Sequence, residues 1–239
     1  MKNADSHIES YITVPFTPMR KVIASRMLEA TQSIPHFRLV REIDIDNLLK
    51  LRKQINKSQN DLNVSINDFV VRASALALVD NPKVNSQIFE NKVHQFSNAD
   101  IAVVVAVDGG LLTPVIRSAN EMSVTEIAAA MRDLTLRAAR GKLKMPEISG
   151  GTFSISNIGK YSVDQFDAII NSPQVGILAV GSAMEKAVVV DGRIVVRTIM
   201  RVSLSLDHRA VDGIDGAIFL DALGKLMEAP ELLLELEAA

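Results

Sequence analysis

A histidine that follows a predicted β-strand is the first residue whose type and spacing indicate chemistry. Apolar and polar side chains alternate over residues 202–207, as in a half-buried strand, and His208 comes directly after them. Asp212 stands four residues further on, and Gly213 permits a turn into a segment with helical apolar spacing. Imidazole titrates near neutral pH, so a histidine held at a strand end suits general base catalysis. We interpret His208 as the base and Asp212 as the carboxylate that organises its surroundings.

The remaining histidines are predicted to have no catalytic role. His7 lies in the polar N-terminal segment, His36 begins a predicted strand after Pro35, and His94 lies within another predicted strand. No second histidine and no cysteine stands at a ligand spacing from His208, so no metal site is predicted. The sequence also lacks a Gly-rich phosphate loop, a dinucleotide fingerprint and the G-x-S-x-G nucleophile motif. These absences argue against a metalloenzyme, a nucleotide-binding protein and a serine hydrolase.

Composition indicates a soluble globular protein. Hydrophobic residues make up 48% and charged residues 23% of the 239 residues. The net charge of −2 gives no reason to expect a nucleic acid or a membrane as partner. The lack of cysteine excludes a thiol nucleophile within this chain. The N-terminal residues contain no apolar leader, and the longest apolar run, residues 101–107, is too short to span a bilayer. We expect a cytoplasmic protein, or one of the mitochondrial matrix if the source is eukaryotic.

Predicted helices and strands are intermingled along the chain. Thr17-Pro18 is typical of a helix start, and Ser123 with Glu126 forms the capping-box pattern that begins a longer helix. Helices are predicted over residues 18–31, 46–55, 66–80, 124–141 and 214–227, and strands over residues 36–45, 84–96, 99–107, 111–117, 152–157, 175–183, 187–190 and 194–206. The pattern predicts a linker or tail over residues 1–13 and one α+β domain over residues 14–239, with helices packed on a mixed β-sheet.

Short motifs spread along most of the chain carry a family resemblance. They are PMRKVIASRM (18–27), IPHF (34–37), NDF (67–69), GLLTPV (110–115), GGTFSISN (150–157), PQ (173–174), ILAVG (177–181) and DHRAVDG (207–213). In this order they resemble the acyltransferase catalytic core, of the dihydrolipoamide acetyltransferase type, of 2-oxo acid dehydrogenase complexes. The resemblance implies the chloramphenicol-acetyltransferase-like fold, built as trimers with active sites between neighbouring subunits.

The resemblance also implies a reaction, the transfer of an acyl group from the thioester of dihydrolipoamide to coenzyme A. His208 matches the base that removes a thiol proton, and Ser156 the hydroxyl that supports the oxyanion, with Ser154 as the alternative serine. Asp212 matches the carboxylate after the base; Arg20 is its expected ion-pair partner, with Arg26 as the alternative, and Gly213 is a supporting residue. Direct transfer between two thiols needs no enzyme nucleophile, which agrees with a chain without cysteine.

The same resemblance sets the expected partners. A homotrimer should assemble into a larger cage and work with a decarboxylase and a dihydrolipoamide dehydrogenase. No lipoyl domain precedes the core in this sequence, so the lipoyl group is expected from a separate domain or chain, and we interpret the sequence as a truncated or processed core. Acetyl is the favoured acyl group; branched-chain, succinyl and acetoin-type transfer are alternatives. A non-catalytic cage scaffold and an independent acetyltransferase acting on a small alcohol are the rival functions.

An apolar tail is predicted to take part in assembly. Leu232, Leu233 and Leu234 follow Pro230 near the end of the sequence, where a monomer would expose them. In the family that the motifs resemble, the C-terminal end docks one trimer onto the next. We therefore expect these leucines to contribute to the contact between trimers.

Overall fold

The computed structural model describes residues 11–58 and 62–235, and in them the chain forms six α-helices and ten β-strands. The helices are α1 (Pro18–Ser33), α2 (Asp46–Ser58), α3 (Ile66–Asp80), α4 (Val124–Ala139), α5 (Gly213–Glu228) and α6 (Leu232–Glu235). The strands are β1 (His36–Asp44), β2 (Ser86–Phe89), β3 (Lys92–Gln95), β4 (Ile101–Val103), β5 (Val105–Val107), β6 (Gly110–Leu112), β7 (Val115–Ile116), β8 (Phe153–Asn157), β9 (Gly176–Val190) and β10 (Arg193–Asp207).

Side-chain caps set the starts of the helices that the sequence predicted best. The Arg20 backbone N–H donates to Thr17 Oγ1 at 3.2 Å, before the proline in the first turn of α1. Ser123 and Glu126 form the predicted capping box of α4, with 3.1 Å and 2.8 Å bonds. These local bonds satisfy N–H groups that a helix leaves unpaired, and the predicted starts are confirmed.

A six-stranded mixed sheet organises the chain, in the order β1-β10-β9-β8-β4-β7. The β1–β10, β10–β9 and β4–β7 pairs are antiparallel, whereas β8 runs parallel to both β9 and β4. Asp191 and Gly192, both at positive φ, make the tight turn of the predicted β9–β10 hairpin. The expected mixed sheet with packed helices is confirmed.

The structure divides three of the predicted strands and joins two others. The strand predicted over residues 111–117 is divided into β6 and β7, which pair with different strands. Residues 84–96 form the β2–β3 hairpin, because Glu90 and Asn91 take positive φ and reverse the chain. Residues 99–107 divide at Val104, where the chain leaves β8 and β7 and begins to pair with β6. The strands predicted over residues 175–183 and 187–190 are one continuous strand, β9.

The main hydrophobic core lies between the sheet and helices α3, α4 and α5. Fully buried Phe69, Ile127 and Phe219 belong to it, and the rings of Phe219 and Phe153 on β8 are 5.5 Å apart. A smaller cluster covers the other face of the sheet, where Ala30 of α1 packs with Ile170. With one face under helices and the other largely under a loop, the sheet holds its strand ends in fixed positions.

The apolar tail packs largely onto its own subunit. Leu233 is fully buried in the main core, Leu234 is half-buried and Leu232 is 39% exposed. The three leucines are therefore not all available for a contact between trimers, because the middle one already has partners within the chain. In the described residues, no helix is long and apolar enough to cross a membrane.

Candidate active site

His208 is presented at the end of β10. Its backbone N–H donates to Pro35 O at 3.1 Å, and its side chain is 53% exposed. The ring packs against that of Phe37 on the neighbouring strand, with centroids 4.5 Å apart. One face of the imidazole is thereby supported while its polar atoms stay accessible, as a general base requires.

An ion pair between the two residues that flank His208 holds the turn. Asp207 is buried, and its carboxylate accepts from Arg209 Nη2 at 2.6 Å and from the Arg209 backbone N–H at 3.0 Å. The hydrogen bond to Asp207 raises the pKa of Arg209. Sequence reasoning did not predict this positioning pair; the oppositely charged residues on either side of the histidine were the available signal.

Asp212 lies beside His208 and begins the next helix. Its Oδ1 is 3.8 Å from His208 Nδ1, too far for a hydrogen bond but close enough for electrostatic interaction. Asp212 is the N-cap of α5, and its backbone N–H donates to Asp215 at 3.3 Å. A hydrogen bond from Lys83 lowers the pKa of Asp215. Gly213 has no positive φ, and an added Cβ would meet nothing within 4 Å, so the turn does not require glycine within a single chain.

Arg20 and Asp212 are not joined within one chain. Arg20 is exposed in the first turn of α1 and forms no ion pair with any residue of 11–58 or 62–235. The side chain of Asp212 is 77% exposed. The Arg20–Asp212 pair, like its Arg26 alternative, therefore stays a prediction.

Ser156 lies near the end of β8 and lines a cavity of about 740 Å³. The adjacent candidate, Ser154, is fully buried and donates its hydroxyl to Gln174 Oε1. Because the hydroxyl of Ser154 is already committed within the protein, the half-buried Ser156 is the serine available to a ligand.

A charged network holds the segment that forms one wall of this cavity. Asp164, in the segment between β8 and β9, pairs with Arg201 and, at 3.2 Å, with Lys186. Glu42 on β1 accepts from the same two cations, and the bond from Lys186, followed by that from Arg201, lowers the pKa of Glu42. Gly181 on β9 fits beneath this segment, because a Cβ there would lie 2.1 Å from Asp164 O.

Ser156 and His208 do not meet within one chain. Ser156 is in register with Ala179 on β9, and Ala179 with Ser203 on β10. His208 is thus two strands across the sheet and five residues further along, about 10 Å by about 16 Å at ordinary strand spacings. Within a single subunit these two candidate residues are therefore far apart.

His36 and His94 are the two other histidines that the structure describes. His36 Nδ1 lies 2.9 Å from Ile34 O, and its Nε2 accepts from the Ile170 backbone N–H at 3.1 Å. Both ring nitrogens are used structurally. His94 is exposed on β3 beside Phe89, and His7 lies outside the described residues. Among the residues described, no group of three His, Cys, Asp or Glu could hold a metal ion.

The fold is that of chloramphenicol acetyltransferase, as expected. A chloramphenicol acetyltransferase structure matches with a TM-score of 0.53 and 13% identity over 85% of this chain and 94% of that chain. At that identity the likeness concerns the fold alone.

The family described as 2-oxoacid dehydrogenases acyltransferase (catalytic domain) matches residues 8–235, and the chain belongs to it. A relative from Rickettsia felis is 42% identical over 95% of this chain and 56% of its own length; it is the dihydrolipoyllysine-residue acetyltransferase component of pyruvate dehydrogenase complex. The chain spans about half the length of such curated relatives. The solved dihydrolipoamide acetyltransferase of Azotobacter vinelandii is 27% identical, with a TM-score of 0.90 and 98% of each chain covered.

Proposed function

We propose that this chain transfers an acetyl group from the thioester of dihydrolipoamide to coenzyme A. The observation that carries the proposal is a pair of sequence spacings. The Azotobacter enzyme was studied for the catalytic roles of a serine, a histidine 52 residues later and an asparagine four residues after that. Ser156, His208 and Asp212 have the same two spacings. The Rickettsia relative's name supports acetyl as the acyl group.

In the proposed mechanism, His208 takes the proton from the thiol of coenzyme A. The resulting thiolate attacks the carbonyl carbon of the thioester, and the tetrahedral oxyanion accepts a hydrogen bond from the Ser156 hydroxyl. When the intermediate collapses, the sulfur of dihydrolipoamide leaves and regains a proton from the His208 imidazolium. The base and the oxyanion donor each lower a different part of the barrier, so both must reach one substrate.

We infer that two subunits build each complete site. The separation of Ser156 from His208 in one chain supports this inference, because a general base acts only within hydrogen-bond reach of its proton. A homotrimer with three such interfaces meets the requirement. Arg20 and Asp212, exposed and unjoined within one chain, would then be able to pair in the assembly, with Gly213 at the contact.

The partners follow from the family. We further propose a cage of trimers that works with a decarboxylase and dihydrolipoamide dehydrogenase, and with a lipoyl group from a separate domain or chain. The relative's place in a pyruvate dehydrogenase complex supports membership in such a larger assembly. We infer a cytoplasmic or mitochondrial-matrix location on the same basis. Coenzyme A and dihydrolipoamide enter as substrates; His208 and Ser156 are the groups proposed to touch their reacting atoms.

A thioester assay tests the proposal. The purified chain is supplied with acetyl-dihydrolipoamide and coenzyme A, and acetyl-coenzyme A is quantified. Succinyl and branched-chain acyl thioesters, and a small alcohol as acceptor, are run in parallel. Acetyl transfer with the highest kcat/KM supports the function, whereas preference for another acyl group or acceptor assigns the alternative. If a correctly assembled chain transfers no acyl group, the non-catalytic scaffold is the remaining candidate function.

A further inference from the structure

Two side-chain amides meet at the wall of the Ser156 cavity. Asn67 lies in the first turn of α3, and Asn157 is the last residue of β8, directly after Ser156. Asn157 Nδ2 donates to Asn67 Oδ1 at 3.0 Å, and both asparagines are half-buried and line the cavity. The pair joins the start of a helix to the strand end that carries Ser156.

A backbone N–H fixes the orientation of both amides. Gly159 N–H donates to Asn157 at 2.9 Å, and because a backbone N–H only donates, the atom that faces it must be the amide oxygen. The NH₂ group of Asn157 is then directed to Asn67, which must accept this hydrogen bond with its own amide oxygen. The Nδ2 group of Asn67 is left over.

Gly159 is itself held firmly. Its carbonyl oxygen accepts from Ser182 Oγ at 2.7 Å, and a Cβ on Gly159 would lie 2.7 Å from Gly181 O. The chain of bonds thus runs from β9 through Gly159 and Asn157 to Asn67. Because Asn157 is fixed through Gly159, the oxygen of the Asn67 amide faces Asn157 and its Nδ2 group does not.

The Nδ2 group of Asn67 donates to no residue of 11–58 or 62–235, and it is not sealed from solvent. The described lining of the cavity contains Arg52 and Lys160 but no Asp or Glu, so it contributes no anionic acceptor. A carbonyl oxygen of a bound molecule fits such a donor.

Asn56 shows what a purely structural asparagine looks like in this chain. It is also half-buried, but its Oδ1 accepts from Val64 N–H at 2.8 Å and its Nδ2 donates to Val64 O at 3.0 Å. Both ends of that amide bond to the backbone of Val64, and Asn56 is not among the residues that line the cavity. In Asn67 only the oxygen is used by the protein.

We propose that Asn67 Nδ2 donates a hydrogen bond to a carbonyl oxygen of the substrate in the Ser156 cavity, and that Asn157 is the residue that positions it. The proposal rests on the proposed function for the identity of the substrate. The carbonyl belongs either to the reacting thioester or to an amide along the arm of a thiol substrate. The chemistry of recognition is the same, and kinetics separate the two sources.

Isosteric variants test the donor. In Asn67→Asp the carboxylate still accepts from Asn157 but has nothing to donate, and Asn67→Ala removes the donor without adding charge. The carboxylate in Asn157→Asp still accepts from Gly159 but cannot donate to Asn67. The NH₂ group of Asn67 is then expected to turn toward this new acceptor and away from the cavity. Asn56→Asp is the matched control. Circular dichroism, thermal unfolding and sedimentation show that each variant is folded and assembled.

If Asn67 donates to the carbonyl of the reacting thioester, kcat should fall roughly 10- to 1000-fold in both Asn67 variants, with KM unchanged. If Asn67 donates instead to an amide along the arm of a thiol substrate, KM for that substrate should rise roughly two- to tenfold. Asn157→Asp should reproduce the same pattern and add little to Asn67→Ala. Asn56→Asp should change only the unfolding temperature.

If both Asn67 variants keep kcat and both KM values within twofold of wild type, the proposal is wrong. Wild-type protein that transfers nothing would instead refute the proposed function. The donor is then judged by calorimetric titration with acetyl-coenzyme A, where Asn67→Asp should weaken binding roughly two- to tenfold. Equal affinities in that titration would overturn it.

Discussion

Co-assembly of two impaired variants should restore part of the activity, because the proposed site takes His208 and Ser156 from different subunits. His208→Ala removes the base and leaves Ser156 intact; Ser156→Ala does the reverse. Alone, they should lose roughly 10²- to 10⁴-fold and 10²- to 10³-fold in rate. The offset of about 10 Å across and about 16 Å along the sheet is far beyond the ~3 Å reach of a proton transfer. The proposed site therefore takes its histidine from one subunit and its serine from another.

The expected yield follows from random assembly. If equal pools of the two variants mix, about a quarter of the interfaces combine an intact His208 with an intact Ser156. The unfractionated mixture should then reach about a quarter of wild-type activity. Mixed trimers freed of homotrimers should reach about a third, because one of the three interfaces in each is complete. A site contained in one chain gives only the average of the two residual activities.

Coexpression with two affinity tags yields the mixed trimers, and sequential purification removes homotrimers of either variant. Native mass spectrometry gives the subunit ratio, and acetyl-coenzyme A formation gives the rate. The pure variants, refolded and mixed only after assembly, serve as the control. Mixed trimers no more active than the average of the two parents would refute the two-subunit site.

Three further outcomes are expected. Ser154→Ala should keep its rate within a few-fold of wild type but lose about 1–3 kcal/mol in chemical unfolding, because a buried acceptor loses its donor. Arg20→Ala and Asp212→Asn should be strongly non-additive in kcat/KM; additive losses would show that they do not pair and direct attention to Arg26. Glu42→Gln should lower the unfolding temperature at neutral pH, and the difference should vanish as the pH falls below 4.5 through the lowered pKa of Glu42; a constant difference would contradict this assignment.

Local signals were sufficient to predict where α1 and α4 begin, but not to predict α6. Thr17-Pro18 and the Ser123–Glu126 box act through bonds between near neighbours, so their meaning does not depend on the rest of the fold. The ends of the strands were harder to predict from the sequence. The apolar run through Val104 reads as one strand, but pairing partners change there, and alternation carries no information about partners.

The same distinction applies to the site. The position of His208 at a strand end was predictable, since strand, turn and carboxylate are consecutive in sequence. The Asn67–Asn157 contact joins residues 90 positions apart, and no spacing rule connects them. The family resemblance already favoured Ser156 over Ser154, and the structure adds a physical reason, because the hydroxyl of Ser154 is occupied by Gln174.

The pairing of β1 with β10 has a consequence for biosynthesis. β1 leaves the ribosome well before β10, its partner in the described sheet, which begins at Arg193, roughly 150 residues later. At ordinary translation rates β1 waits about 7 to 30 seconds with its backbone donors unpaired. A nascent chain in that interval exposes an edge strand to its neighbours, so early ribosomal pauses should favour aggregation or chaperone binding. Completion of the hairpin at Asp191 and Gly192 delivers β10, which pairs with β1 along one side of that strand.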